Sequence, residues 1–503
     1  MDYYMGVDIG SYESKGLLMD RNGAVAAMAV RGHIMETPKP GYAEHDADTA
    51  WWGDFCGISQ ELISSSSIDP RMIRGVGCSG IGPCCLPVDG RYRPLRKAVL
   101  YGVDVRAAKQ IDMLNRRLGE ETILQKYGCP VTSQSPAPKI MWLRENEPEI
   151  YRQTAKFVTS STFLTAKLTG RCCIDHYTAS AFSPMYDPAA HDWDRADISR
   201  FCRADQLADC LWTNELAGTV NAEAAAETGL REGTPVAAGT ADAAAEAVAA
   251  GVLDPGDMLI MFGSSVFMIH VTPNQITDRR YWSGPYLFKD TWAVTSGMST
   301  TGTLTRWFRD ELAPDLAEAQ KRGRGNAYDM LGDMLADIPP GSGGLIVLPY
   351  FSGERTPIND PRAKGVFFGL TLQHTRAHMY QACLEGVAYG IAQHLDGYAG
   401  IGMETKRAAA TGGGTKTSKW MQIVADVTGR ELLLGGIYGA AYGDALLAML
   451  ATGNADVPGI RGMLRFNGAV IPDWGNHAVY SRQAALYAEL YEKTKDIMHR
   501  TMN

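Results

Sequence analysis

The residues best placed to do chemistry begin at the N-terminus. Tyr4 to Asp8 reads as a short apolar strand, Gly10 to Ser14 as a turn and Lys15 to Asp20 as the return strand. That turn offers backbone N–H groups at Gly10 and Ser11, hydroxyls on Ser11 and Ser14, and the Lys15 ammonium, all suited to phosphoryl oxygens. Asp8, at the strand's end, can hold magnesium through water. The plan recurs in the second half, where Asp257 to Phe262 is a strand, Gly263-Ser264-Ser265 the turn and Val266 to Val271 the return.

Two familiar phosphate loops are excluded. The Walker pattern Gly-x-x-x-x-Gly-Lys-Ser/Thr occurs nowhere in the chain. Gly75-Val76-Gly77-Cys78-Ser79-Gly80 matches Gly-x-Gly-x-x-Gly after a short apolar strand, but Pro83 and Pro87 follow too soon for a helix to open. A pyrophosphate would then have no helix dipole to sit on, which argues against a dinucleotide site.

The elements that must position these residues come in two similar series. Asp242 marks the start of an Ala-rich helix, Ala243 to Ala250, where an isolated Asp is ordinarily a helix cap. Leu384, Val387, Ile391 and Leu395 recur at helical spacing, with Thr375 as N-cap and Gly397 and Gly400 at the end. Trp420 to Val427 starts another helix after Gly412-Gly413-Gly414. Hairpins and helices in each half predict two α/β domains, 1–250 and 251–503, with a seam near 251–256. A site between such halves can open and close by hinge motion.

Composition narrows the classes of function. The chain has 503 residues, 45% hydrophobic and 21% charged, as in globular proteins. A net charge of −8 without a Lys/Arg block gives no footprint for nucleic acid. The N-terminus carries an acid where a signal peptide carries bases, and no apolar run reaches the roughly 18 residues of a membrane span. A cytoplasmic protein is expected. The ten cysteines, including Cys84-Cys85 and Cys172-Cys173, lack Cys-x-x-Cys spacing and read as reduced thiols. His374 and His378 lack the Glu and third ligand of a zinc site and read as surface or capping residues.

Read together, several stretches resemble the FGGY carbohydrate kinases, the family of xylulose, ribulose, gluconate and glycerol kinases. They are Gly6 to Lys15, Gly41-Tyr42-Ala43-Glu44-His45-Asp46, Tyr101 to Arg106, Ala238-Gly239-Thr240-Ala241-Asp242, Gly353-Glu354-Arg355-Thr356-Pro357, Gly365 to Gly386, and Thr411 to Gly414 leading to Gln422 and Asp426. The resemblance implies two actin-like, ribonuclease-H-like α/β domains flanking a deep catalytic cleft. It implies ATP and magnesium as cofactors, a small sugar as substrate, and a possible homodimer.

Residue by residue, Asp242 matches the catalytic base, which takes the proton of a sugar hydroxyl as it attacks the γ-phosphorus. Asp8 matches the magnesium-orienting carboxylate. Gly10, Ser11, Ser14, Lys15, Gly263 and Ser264 match the phosphate hairpins; Gly302, Thr303, Arg306, Gly413, Gly414 and Ser418 match nucleotide-facing loops. Asp104 and Arg106 match a sugar-side pair, with Gly82 and Pro83 beside the substrate. Trp51, Trp52 and Trp142 read as packing aromatics rather than sugar platforms.

The chain departs from the family at the sugar. Xylulose kinases typically follow Ser-Gly with Gln-Met-His-Gly, whereas Ser79-Gly80 is followed by Ile81-Gly82-Pro83-Cys84. Val158 to Thr162 replaces a frequent Lys-Asp pair, and the glycerol-kinase Gln-Arg-Glu run is absent. The reaction implied is phosphorylation of a primary hydroxyl of an open-chain sugar, foremost a pentulose such as xylulose or ribulose. Gluconate, erythritol or glycerol are the alternatives, and after them an actin-like ATPase module without sugar kinase activity.

Overall fold

The computed structural model describes residues 2–436 and 438–501. The chain forms two compact units. One comprises the chain up to Pro255 together with Val271–Val294 and Gly436–Arg465; the other comprises Gly256–His270, Thr295–Gly435 and the chain from Phe466 on. Each unit is discontinuous, where the sequence suggests a single seam near 251–256. Local turn signals mark where the chain leaves a fold, but they do not reveal that a later helix returns to it.

The first unit is built on β1 (Tyr3–Ile9), β2 (Glu13–Asp20), β3 (Val25–Gly32), β4 (Ile73–Gly80), β5 (Leu216–Thr219), β6 (Pro235–Ala237) and β7 (Thr240–Ala241). The sheet order is β5-β6-β4-β1-β2-β3, with β7 also against β4. Strand β1 runs antiparallel to β2 with Asp8 opposite Lys15, and parallel to β4 with Asp8 opposite Ser79. Strand β7 is parallel to β4, and Thr240 is opposite Ser79. Asp8, Ser79 and Thr240 therefore stand in one row, and Asp242 follows two residues beyond it. Met5, Val7, Ile9 and Leu18 are fully buried in the core that fixes this register.

Helix Ala440–Ala451 lies on this sheet through glycines. A Cβ on Gly6 would stand 1.9 Å from the Ala441 carbonyl oxygen, and one on Gly77 would stand 2.0 Å from that of Asp444. One on Gly443 would stand 1.9 Å from the carbonyl oxygen of Ala245, in helix Asp242–Ala249. The Gly-x-Gly-x-x-Gly run is thus the body of β4, and Gly77 is the space through which a helix backbone touches the sheet. Its glycines serve packing and leave nothing for a dinucleotide.

The second unit is built on β8 (Asp257–Phe262), β9 (Val266–Thr272), β10 (Arg407–Thr411), β11 (Leu432–Leu434) and β12 (Gly468–Val470). They run in the order β9-β8-β10-β11-β12, and β8 pairs antiparallel with β9 and parallel with β10. Helix Arg376–Ala399 is capped by Thr375, and helix Ser418–Thr428 follows the glycine loop. Asp426 accepts from Gln422 Nε2 (2.7 Å), the Asp473 N–H (2.7 Å) and Asn476 Nδ2 (2.9 Å), so this motif pair anchors helix Trp474–Arg500. His374 and His378 cap loop and helix N–H groups at Thr371 and Thr375. All ten cysteines are unpaired, seven of them buried. Among the described residues no helix is long and apolar enough to cross a membrane.

Gly77→Ala and Gly443→Ala should each destabilise the protein by about 3 kcal/mol or more in urea unfolding, because backbone rather than a flexible side chain must move. Gly462→Ala, with open space around its Cβ inside helix Val457–Met463, should leave stability unchanged or raise it by up to about 1 kcal/mol.

Candidate active site

The first unit gathers three carboxylates. Ser79 Oγ lies 3.1 Å from Asp8 Oδ1 and 2.7 Å from Asp444 Oδ2, and the Asp444 side chain is fully buried. A serine carries one hydrogen, so it donates to only one of two ionised carboxylates at a time. Burial raises the Asp8 carboxyl above the ordinary range, opposed by the Ser79 hydrogen bond. Asp242 is raised further, by burial and then by the Asp8 charge, and Asp444 well above its usual range by burial and then Asp8. Asp8 and Asp242 keep part of their surface open, so this charge is within reach of solvent.

Asp242 is the first residue of helix Asp242–Ala249; the residue in the cap position is Ala241, which makes no side-chain cap bond. The expected capping role is therefore corrected. Asp242 Oδ1 accepts the N–H of its neighbour Ala243 at 2.7 Å, which fixes the carboxyl at the positive end of the helix.

The β1–β2 turn divides its expected phosphate ligands into two groups. Gly10 N–H closes the turn on the Glu13 carbonyl, while Ser11 is half-buried and Lys15 forms a half-exposed pair with Glu13 at 2.6 Å. Such pairs contribute little to stability, so the Lys15 ammonium can change partner at small cost. Ser14 is different: it is buried and donates to Asp54 Oδ2 at 2.7 Å, inside the protein.

On the sugar side, Gly82 lies against Ala241, which a Cβ there would approach to 3.8 Å, and Pro83 is buried next to it. Asp104 is buried and committed: its oxygens accept from Arg106 Nε at 2.9 Å, Arg106 Nη2 at 2.6 Å and the Ala43 N–H at 2.8 Å. Arg106 Nη2 also donates to Glu44 at 2.8 Å, and the guanidinium lies over the rings of Tyr42 and Trp142. Its Nη1 is buried without a partner among the described residues. The pair is thus an enclosed ion pair with one donor left over, and Trp142 is a platform for that arginine. Cys84 and Cys85 are buried, and burial pushes each thiol up to about 12. Trp51 and Trp52 are core residues.

In the second unit the expected loops come together. The N–H groups of Thr301 and Thr303 donate to the Ser264 carbonyl, and that of Gly302 donates to the Gly263 carbonyl, each at 3.1 Å. A Cβ on Gly302 would stand 2.5 Å from the Gly263 oxygen. Gly412, at φ 90°, lies equally close to the Phe262 carbonyl, and Gly414 packs on the Phe262 side chain. Gly413 has open space beside it, and Ser264, Thr303, Arg306 and Ser418 are exposed. In the stretch Gly353 to Pro357, Glu354 is buried, pushed up to about 7 by burial, and accepts the Ser299 N–H at 2.6 Å.

Asp444 and Ser79 belong to this site but were not read as such from the sequence. The available signal was a lone Asp after a glycine in the otherwise apolar Ala440–Ala451 run. Among the described residues no cluster of three or more His, Cys, Asp or Glu is arranged to hold a metal by protein ligands alone. Hard carboxylate oxygens do suit magnesium, which usually takes one or two carboxylates plus waters and substrate phosphates.

Comparison with known proteins is consistent along the chain. Residues 3–249 match the N-terminal domain model of the FGGY family of carbohydrate kinases, and residues 258–452 match its C-terminal domain model. A xylulose kinase of Escherichia coli (strain K12) is 28% identical, over 98% of this chain and 100% of that protein. A gluconokinase of Bacillus licheniformis is 26% identical over 90% of this chain and 88% of its own. The crystal structure of a xylulose kinase from Rhodospirillum rubrum superposes with a TM-score of 0.91 at 30% identity, covering 99% of this chain and 100% of that one.

Folding raises the affinity of Asp242 for its proton, so stability on this account falls as pH climbs from the unfolded value, about 4, through the raised folded one. Asp242→Asn should therefore stabilise the ligand-free protein by about 2 kcal/mol near pH 8, in thermal melts, and the gain should shrink as pH falls toward 4.

Proposed function

The chain belongs to the FGGY family of carbohydrate kinases, and from that premise we propose that it transfers the γ-phosphoryl group of ATP to a primary hydroxyl of an open-chain pentulose such as xylulose or ribulose. The observation that carries the reading is Asp242, held at the head of its helix with its proton affinity raised beside Asp8. A base tuned upward toward neutral pH accepts a hydroxyl proton more readily than an ordinary carboxylate. As the sugar oxygen bonds to the γ-phosphorus, the bond to the bridging oxygen breaks, ADP leaves and the proton passes to Asp242.

The other residues position and neutralise. Asp8 would hold magnesium through water; when bound, that ion offsets phosphate charge. Ser11 and Lys15 face the phosphates in this reading, while Ser14, turned onto Asp54, holds the turn from behind. Gly263, Ser264, Gly302, Thr303, Arg306, Gly413, Gly414 and Ser418 would take the nucleotide, their glycines allowing close approach. Arg106 would reach the sugar with Nη1, the one donor that Asp104 and Glu44 leave over, and Gly82 and Pro83 would wall the substrate beside Asp242. A cytoplasmic location and a homodimer belong to the same reading on the family's account.

The test is sugar-dependent ADP release over a panel of pentuloses, gluconate, erythritol and glycerol. A pentulose should give the highest kcat/KM. Asp242→Asn should lower kcat by at least about 10³-fold while nucleotide binding stays within a few-fold. Near-normal turnover in that variant would refute the base assignment, and ADP release indifferent to every sugar would favour a bare ATPase.

A further inference from the structure

Behind the β1–β2 turn stand two histidines that the kinase reading leaves unused. His33 Nε2 is 3.0 Å from the Gly10 carbonyl oxygen, and His45 Nε2 is 3.1 Å from that of Ser11. Their rings meet edge to face with centroids 4.9 Å apart. His45 is fully buried, and the His33 side chain is 7% exposed. Two consecutive carbonyls of the phosphate turn are thus drawn inward onto two imidazoles.

The partners on the far side of each ring settle which nitrogen carries hydrogen. Trp51 Nε1, a donor only, reaches His45 Nδ1 at 3.1 Å, so Nδ1 accepts and Nε2 donates to Ser11. His33 Nδ1 lies 2.8 Å from Asp54 Oδ2, an oxygen that also accepts from Ser14. A bare ring nitrogen would oppose a carboxylate oxygen there, so a proton lies between them, and Nε2, facing a carbonyl, carries another. His33 therefore donates to the Gly10 carbonyl from Nε2, its ring held by Asp54 on the other side.

The consequence follows from peptide geometry. The peptides of this turn are trans, so a carbonyl drawn inward turns the N–H of the same unit outward. The outward groups are the N–H of Ser11 and of Tyr12, and neither meets an acceptor among the described residues. Each belongs to a peptide whose oxygen already accepts a hydrogen bond, which polarises it and strengthens the N–H as a donor.

We propose that His33 and His45 are positioning residues for phosphate binding: they hold the Gly10 and Ser11 carbonyls so that the Ser11 and Tyr12 N–H groups point together at an anion. Asp54 and Trp51 set the hydrogens on the two rings, and Ser14 ties Asp54 to the hairpin. This rests on the kinase reading, and the experiment separates the two. Binding of a non-hydrolysable ATP analogue with magnesium is measured by isothermal titration on the full chain without sugar, alongside KM for ATP and for the sugar. His45→Phe and His33→Phe should each weaken analogue binding about tenfold and raise KM for ATP similarly, with KM for the sugar within about twofold. His45→Gln, whose amide can donate to Ser11 and accept from Trp51, should stay within about threefold of wild type.

A Phe variant that melts like wild type and binds the analogue equally well overturns the proposal. So does a Gln variant as impaired as the Phe one, since these positions would then serve packing alone. Should the Phe variants not fold, Asp54→Asn decides: binding weakened about fivefold supports the proposal and unchanged binding overturns it. Wild-type protein that binds no analogue defeats the kinase reading and this proposal together. Wild type with sugar-dependent ADP release, beside unimpaired His variants, defeats this proposal alone.

Discussion

Uncompensated negative charge is the constraint on which the first unit depends. Asp8 and Asp444 both reach Ser79, whose single hydrogen can serve one of them, and Asp242 adds a third carboxyl within electrostatic reach. Among the described residues no lysine or arginine hydrogen-bonds these three side chains, and the Lys15 charge offsets only part of the burial at Asp8. In a low dielectric such a group resists full ionisation, and each carboxyl accordingly holds its proton more tightly than in water. The arrangement persists because the backbone leaves no alternative. Gly6, Gly77 and Gly443 bring helix Ala440–Ala451 so near to β1, β4 and helix Asp242–Ala249 that residue 444 lies against β4. Packing, which is stabilising, thereby places a carboxyl where electrostatics disfavours it.

Much of the site was legible because its residues are local in sequence. Asp8 and Lys15 lie across one hairpin, Asp242 heads one helix, and Gly263-Ser264 forms the turn of a second hairpin visible in the chain. Asp444 was not legible, since its partners are hundreds of residues away and its helix looks like ordinary core. At Gly75 to Gly80 the prolines that follow argue against a dinucleotide loop, but what the glycines do instead was not legible: the 2.0 Å separation at Gly77 shows that they make room for a helix backbone. The same limit hid the return of Gly436–Arg465 to the first unit.

The sugar side shows what side-chain partners add to a motif. As residue types, Asp104 and Arg106 suggest one acceptor and one fork for vicinal hydroxyls. As structure, the carboxylate is consumed by the guanidinium and the Ala43 N–H, and Tyr42 and Trp142 cover the guanidinium's faces. What remains is Nη1, buried and without a partner among the described residues. Truncating Asp104 would therefore act through the arginine it holds, leaving the buried guanidinium with Glu44 but without its bidentate partner. In the proposed kinase reading this matters because Ile81-Gly82-Pro83-Cys84 supplies no polar side chain other than a thiol: discrimination among sugars would then fall on few donors, and an unmet one is costly.

The phosphate turn and the carboxylate cluster meet on one strand and pull in opposite electrostatic directions. At Asp8, β1 carries negative charge that a cation would have to relieve; three and four residues on, the N–H groups of Ser11 and Tyr12, backed by His33 and His45, would face an anion. A metal–phosphate pair satisfies both ends at once, whereas an anion alone would face Asp8 and a cation alone would face the donors.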